Sequence, residues 1–238
     1  MGERETITSK RFIAFFDIMG FKEMVMRENH DKILNMMKEL KKFTSSIESC
    51  YSGIPGKGGK IKTKFIEERV QTVLFSDSIL IFTDSGTKEM AESVIYHCNL
   101  FMQYCAKSKI PIKGALSFGK FTSDFNQSIF LGQPLIDAFL LQEELQMYGA
   151  ILDFNIERKL KELKFDFPNS NELIKYKAPT KSGKINHYCL NWVNDKNFKV
   201  KQSVQNIDNI YTVVSGKPRL YIDNTLDFLE HIIKLGTK

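Results

Sequence analysis

The chain has little of what marks zinc proteins, disulfide scaffolds or membrane proteins. Its four cysteines, Cys50, Cys98, Cys105 and Cys189, form no CxxC pair, and its four histidines show neither HxxxH nor HExxH spacing. Zinc sites draw on closely spaced nitrogen and sulfur ligands, so a zinc centre is not expected. Cys98 and Cys105 stand seven apart in a helical pattern, which reads as a core stripe and not a disulfide. No apolar run approaches the roughly 20 residues that span a bilayer. The opening MGERETITSK is charged and lacks a signal-peptide pattern. MGERET does fit the short N-myristoylation string, which is loose enough to arise by chance. These absences lead to the expectation of a reduced, cytoplasmic protein without a membrane segment.

Long blocks of one charge are missing too. The net charge is +6, but the signs alternate. KGGKIKTK (57–64) and KVKQ (199–202) read as solvated surface, not as a nucleic-acid patch. A mildly basic chain suits a small anionic partner such as a nucleotide. What the chain does have is apolar material: 42% of its 238 residues are hydrophobic, enough for one sizeable core.

The apolar segments fall in a definite order. RFIAFF (11–16) reads as a buried strand. From Lys22 to Cys50 the apolar residues Ile33, Met36, Met37, Leu40, Phe43 and Ile47 recur at helical spacing. YSGIPGKGGKIKTK (51–64) reads as a loop; it lacks the Lys-Ser/Thr ending and the preceding strand of a P-loop. Val70–Phe75 and Ile79–Thr83 flank a tight SDS and predict a hairpin with Asp77 at its tip. A helix over 87–107, a strand over 110–121, a helix within 130–149, a strand over 150–154 and a helix over 155–163 follow. The order β-α-β-β-α-β-α-β-α predicts an α+β, ferredoxin-like βαββαβ domain over residues 11–163. KYKAPTKSGKINHYCLNWV predicts a hairpin and 225–235 a helix, so 164–238 is expected as a C-terminal extension packed on the same domain.

Asp17 and Asp77 share a setting. Each leaves an apolar strand within one βαββ unit, and neighbouring strands would bring both carboxylates to one sheet edge. Mg²⁺ and Mn²⁺ take oxygen ligands, commonly one or two carboxylates plus phosphate oxygens. Two such ions could activate a hydroxyl and neutralise a triphosphate. The amides of Met19, Gly20 and Phe21, opening the next helix, would then face phosphates. Two ordinary turn aspartates give the same spacing.

These residues resemble a family. FIAFFDIMGFKEMV is similar to the first strand and phosphate turn of class III nucleotidyl cyclases, whose pattern is F-x-D-I-x-G-F. LFSDSILIF resembles their second metal aspartate on a hairpin, and IPIKGALSFGKF their strand ending in G-I-x-x-G. FLGQPLIDAFLLQ resembles their G-x-x-V-N-x-A-x-R segment, and YGAILDFNIERKL the strand and helix after it. The resemblance implies two Mn²⁺ or Mg²⁺ ions on Asp17 and Asp77, with the Ile18 carbonyl as a further ligand.

The departures carry information as well. The family's transition-state Asn and Arg fall on Ile136 and Leu140. Its two base-reading positions fall on Val73 and Ile129, so the polar code for a purine edge is missing. Lys113 stands where relatives carry arginine, keeping the charge without the bidentate fork. With the size and the YCLNWV segment, this combination looks like the pyrimidine cyclases of bacterial Pycsar antiphage defence. That resemblance implies homodimers with composite sites, UTP or CTP as substrate, cyclic UMP or cyclic CMP as product, and a separate cyclic-nucleotide-gated effector. A purine cyclase with unfamiliar base-reading residues and a non-catalytic nucleotide-binding module are the alternatives. No GGDEF-like string occurs.

Overall fold

A computed structural model describes residues 6–48, 53–55, 61–63, 69–167, 170–193 and 216–236. Cys50, most of the 51–64 segment and KVKQ at 199–202 lie outside the described residues. In chain order the elements are β1 (Ile7–Ile18), α1 (Phe21–Arg27), α2 (His30–Glu48), β2 (Gly53–Pro55), β3 (Ile61–Thr63), β4 (Val70–Phe75), β5 (Ser78–Thr83) and α3 (Lys88–Lys107). There follow β6 (Ile112–Asp124), β7 (Ile129–Gly132), α4 (Gln133–Glu144), β8 (Gly149–Leu152), α5 (Phe154–Glu162), β9 (Leu173–Thr180), β10 (Gly183–Leu190) and α6 (Lys217–Gly236).

The sheet runs β4-β5-β1-β6-β8-β10-β9, with β7 also pairing β6. Its first four strands in the order β6-β1-β5-β4 are all antiparallel and make the expected ferredoxin-like unit. β8 then adds parallel to β6, and the β9–β10 hairpin joins β8 through Cys189 and Ile151.

The continuous apolar run of β1 follows from burial on both faces. Phe12, Ala14, Phe16 and Ile18 point into the main core, where Phe16 meets Phe101 of α3 edge-on at 5.2 Å. Ile13 belongs to a second cluster with Leu80, Phe82 and Phe121 on the other face. On that face Phe15 meets Phe139 of α4 at 5.5 Å. Helices α2 and α3 therefore cover one side of the sheet and α4 the other.

Four elements differ from the sequence expectation. Ile129–Gly132, expected to open the next helix through a turn, forms strand β7 on β6. The helix expected over 22–50 is two helices, because Glu28 is extended (φ −95°, ψ 160°) and the Asn29 side chain accepts a bond from the Asp31 amide at 2.8 Å, restarting the helix. The 51–64 loop contains two three-residue strands that pair only with each other. Helix α6 begins at Lys217, two turns before the apolar stripe suggests, with Pro218 in its first turn, where a missing N–H costs nothing.

α6 is bound to the rest of the fold by specific contacts. The Thr225 hydroxyl accepts from the Tyr148 amide at 2.8 Å, and Asn224 Nδ2 donates to the Gln146 carbonyl at 2.7 Å. Ile222, Phe228 and Leu229 are fully buried, and the Tyr176 ring lies 5.0 Å from Phe228. No helix among the described residues is long and apolar enough to cross a membrane.

Candidate active site

Asp17 is the penultimate residue of β1, and its Cα partners are Ser78 on β5 and Lys113 on β6. Asp77 lies in the two-residue turn between β4 and β5, where Ser76 takes a left-handed φ of 53°. The Ile18 amide donates to the Asp77 carbonyl at 2.9 Å, which ties the hairpin tip to the end of β1. The two aspartates expected to converge are thus at one sheet edge. Burial, with Asp77 the next cause, pushes the Asp17 carboxyl up to about 6, against the pull of Lys113 and with a further push from Glu143.

Gly20 opens α1 in the left-handed region (φ 72°, ψ 14°), a conformation that strains any residue with a Cβ. A Cβ at this position would touch nothing within 4 Å, so the space in front of the turn is open. Not every amide of the turn is available to a ligand. The Met19 N–H donates to the Pro111 carbonyl at 2.8 Å, which corrects the expectation that it faces phosphates. Gly20 and Phe21 remain at the head of α1.

Lys113 is buried, and as the cross-strand partner of Asp17 it shares that residue's face of the sheet. Its Nζ lies 3.5 Å from the Glu143 carbonyl oxygen and 3.9 Å from Glu143 Oε1. The Tyr221 ring of α6 covers it at 5.8 Å. Burial draws the Lys113 ammonium below the ordinary lysine range, while Glu143 and then Asp17 pull it back up. Glu143, Lys181 and Tyr221 had no local signal in the sequence. They arrive from three separate elements by long-range packing.

Val73 packs against the second cluster, together with Phe125, Phe130 and Leu135. Ile129 does not join it. Ile129 pairs with Asp124 and Phe130 with Ser123, so strand alternation puts Ile129 on the face opposite to Phe130. Phe130, one residue further on, is the residue of β7 that packs against this cluster, at the Phe82 and Phe125 rings (6.2 and 5.2 Å). Gly132 allows this path, since a Cβ there would lie 2.5 Å from the Lys120 carbonyl oxygen. Ile136, Phe139 and Leu140 form an i, i+3, i+4 stripe on α4 and are exposed at 53%, 44% and 56%.

No three His, Cys, Asp or Glu side chains among the described residues come together to hold a metal by themselves. Two neighbouring aspartates, one with its carboxyl raised by burial and by the other's charge, suit a hard divalent cation that completes its shell with substrate oxygens.

No protein-family model and no curated protein matches the sequence. Solved structures do match the fold. The guanylyl cyclase domain of the RhoGC fusion protein from the aquatic fungus Blastocladiella emersonii superposes with a TM-score of 0.54 at 14% identity, covering 79% of this chain and 98% of that one. The catalytic core of a rhodopsin-guanylyl cyclase with converted specificity, in complex with ATPαS, gives 0.52 at 14% identity, over 78% of this chain and 98% of that one. A bacterial light-regulated adenylyl cyclase gives 0.53 at 14% identity, over 89% of this chain and 59% of that one. The chain has the fold of the nucleotidyl cyclase catalytic domains.

Proposed function

We propose that this protein is a nucleotidyl cyclase that converts a pyrimidine nucleoside triphosphate, UTP in the first instance, to its 3′,5′-cyclic monophosphate and pyrophosphate. The observation that carries the reading is the convergence of Asp17 and Asp77 at one sheet edge, with Lys113 as the cross-strand partner of Asp17. Asp17 and Asp77, helped by the Ile18 carbonyl, would hold two Mn²⁺ or Mg²⁺ ions. Such ions supply Lewis-acid activation of the 3′-hydroxyl and charge neutralisation on the leaving group. In the reaction the ribose 3′-oxygen bonds to the α-phosphorus, the bond from that phosphorus to pyrophosphate breaks, and the hydroxyl proton leaves to solvent. Lys113 faces the phosphates, and the open turn at Gly20 and Phe21 admits them.

The pyrimidine part of the reading rests on apolar residues. Neither Val73 nor Ile129 carries a side-chain group that can hydrogen-bond a purine edge. A buried purine edge left unpaired costs roughly 1–3 kcal/mol per group. The exposed stripe of Ile136, Phe139 and Leu140 supports a homodimer in which the second protomer completes the base pocket. The product, cyclic UMP or else cyclic CMP, fits a second messenger for antiphage defence that acts on a separate cyclic-nucleotide-gated effector. The test is incubation with each of the four NTPs and Mn²⁺, with mass spectrometry of the products. UTP or CTP is expected to be turned over fastest. Faster conversion of ATP or GTP overturns the pyrimidine reading, and no cyclic product from any NTP leaves a nucleotide-binding module.

A further inference from the structure

Lys113 has a second anionic neighbour besides Asp17. The Glu143 carboxylate bridges two ammonium groups, with Oε1 3.9 Å from Lys113 Nζ and Oε2 3.5 Å from Lys181 Nζ. Both contacts are longer than the roughly 2.7–2.9 Å of a tight charge-assisted bond. The three groups are unequally wet. The Lys113 side chain is 5% exposed, Glu143 46% and Lys181 41%. The backbones that carry the lysines are fixed independently of this carboxylate. Lys113 is fixed by strand pairing and by the Tyr221 ring. The turn carrying Lys181 is pinned to the end of α4, where the Lys181 amide donates to the Glu144 carbonyl at 2.9 Å and Ser182 Oγ donates to Glu144 Oε2 at 3.1 Å. A half-solvated carboxylate beside Asp17, which accepts one hydrogen bond from Gln142 Nε2 at 3.1 Å and otherwise makes only long contacts to two ammonium groups, can be displaced by a stronger anion. A polyphosphate has oxygens on successive phosphorus atoms and can reach both ammonium groups with more charge than one carboxylate brings.

We propose that Glu143 is a placeholder anion, whose carboxylate competes with the terminal phosphates of the substrate for Lys113 and Lys181. The proposal rests on the cyclase reading and adds a selection by charge to it. A triphosphate displaces Glu143, a monophosphate does not, and the return of the carboxylate helps to expel pyrophosphate.

The experiment is calorimetric titration of inorganic triphosphate, in chelator, into the wild-type protein, Glu143→Gln, Glu143→Ala, Lys181→Ala and the Glu143→Gln/Lys181→Ala double variant. Melting temperatures confirm that each is folded. Removing the carboxylate should tighten triphosphate binding about two- to fivefold, the range an exposed ion pair supports. Both Glu143 variants should show the gain, Lys181→Ala should weaken binding, and in its background the gain from Glu143→Gln should shrink. Weaker or unchanged binding by the Glu143 variants overturns the proposal. So does an undiminished gain without Lys181, or a wild type and variants that bind no triphosphate. The readout needs no turnover, so a protein that binds triphosphate as described and cyclises no NTP counts against the cyclase reading alone.

Discussion

Asp17 is a residue held at a cost to the fold. Its carboxyl is raised from 3.8 to about 6, first by burial and then by Asp77. The folded state therefore binds the proton more tightly than the unfolded state between those two values. Stability falls as pH rises through that window and levels off above it. A shift of this size corresponds to about 3 kcal/mol at most, and solvent access to the site reduces it to roughly 1 kcal/mol. Asp17→Asn is accordingly expected to melt about 2–4 °C higher than wild type at pH 7.5 in chelator, with the gain gone near pH 3.5. The same variant should lose cyclisation, since an amide keeps the shape without the charge that a cation needs. A variant that melts no higher than wild type at pH 7.5 shows that the Asp17–Asp77 repulsion is already neutralised. In Asp77→Ala the loss of activity should come without loss of fold, because the side chain stands in a turn and supports no core contact. Both aspartates were legible in the sequence, since strand ends and a hairpin tip are local features. Met19 was not, because the Pro111 carbonyl that takes its amide lies some ninety residues away. The face that Ile129 takes was not legible either, as spacing within a short strand does not fix it.

At the scale of elements, α6 is the piece that the local pattern described least well. Its apolar stripe shows a helix, but not that Tyr221 lies against Lys113 or that Thr225 forms its anchor. Thr225 is fully buried; its hydroxyl accepts from the Tyr148 amide and donates to the Tyr221 carbonyl at 2.6 Å. Thr225→Val keeps the shape and strands the Tyr148 N–H. An unsatisfied buried donor costs about 1–3 kcal/mol. Hydrogen exchange should then show α6 amides losing protection while β1 and β6 keep theirs, because those strands are tied to each other along twelve paired positions. Uniform loss of protection across the sheet would mean that α6 unfolds only with the whole domain. The central unit was far more legible. Both strands of the β4–β5 hairpin and the capped start of α3 at Thr87 follow from short-range periodicity and from turn and cap residues. The break between α1 and α2 falls in the polar run Arg27–Lys32, which holds no glycine or proline to mark a stop, and only Asn29 signals the restart.

The whole molecule leaves apolar surface uncovered on the α4 side of the sheet. Ile136 and Leu140 are exposed on α4, Phe139 beside them is half covered by Phe15, and Phe75 at the tip of the β4–β5 hairpin is 78% exposed. Large side chains of this kind gathered on one helix face mark an interaction surface. A second copy of the chain is the occupant that the proposed activity requires. In the proposed reading that second copy completes the base pocket. Burying the stripe in a symmetric dimer of at least about 1,000 Å² gives a stable interface. Leu140→Glu places a charge at its centre, which costs far more than a rim contact would. The wild-type protein is expected to sediment as a dimer at micromolar concentration, and Leu140→Glu as a folded monomer whose melting temperature no longer depends on protein concentration. Activity per protomer in dilute wild-type solutions should rise with protein concentration. Leu140→Glu should be inactive, although Asp17, Asp77 and Lys113 are untouched. Mixing Asp17→Ala with Val73→Glu should recover activity if metal and base residues come from different protomers, up to one working site per heterodimer. A Leu140→Glu monomer with full specific activity would show that one chain carries the complete site, and the apolar stripe would then need another partner.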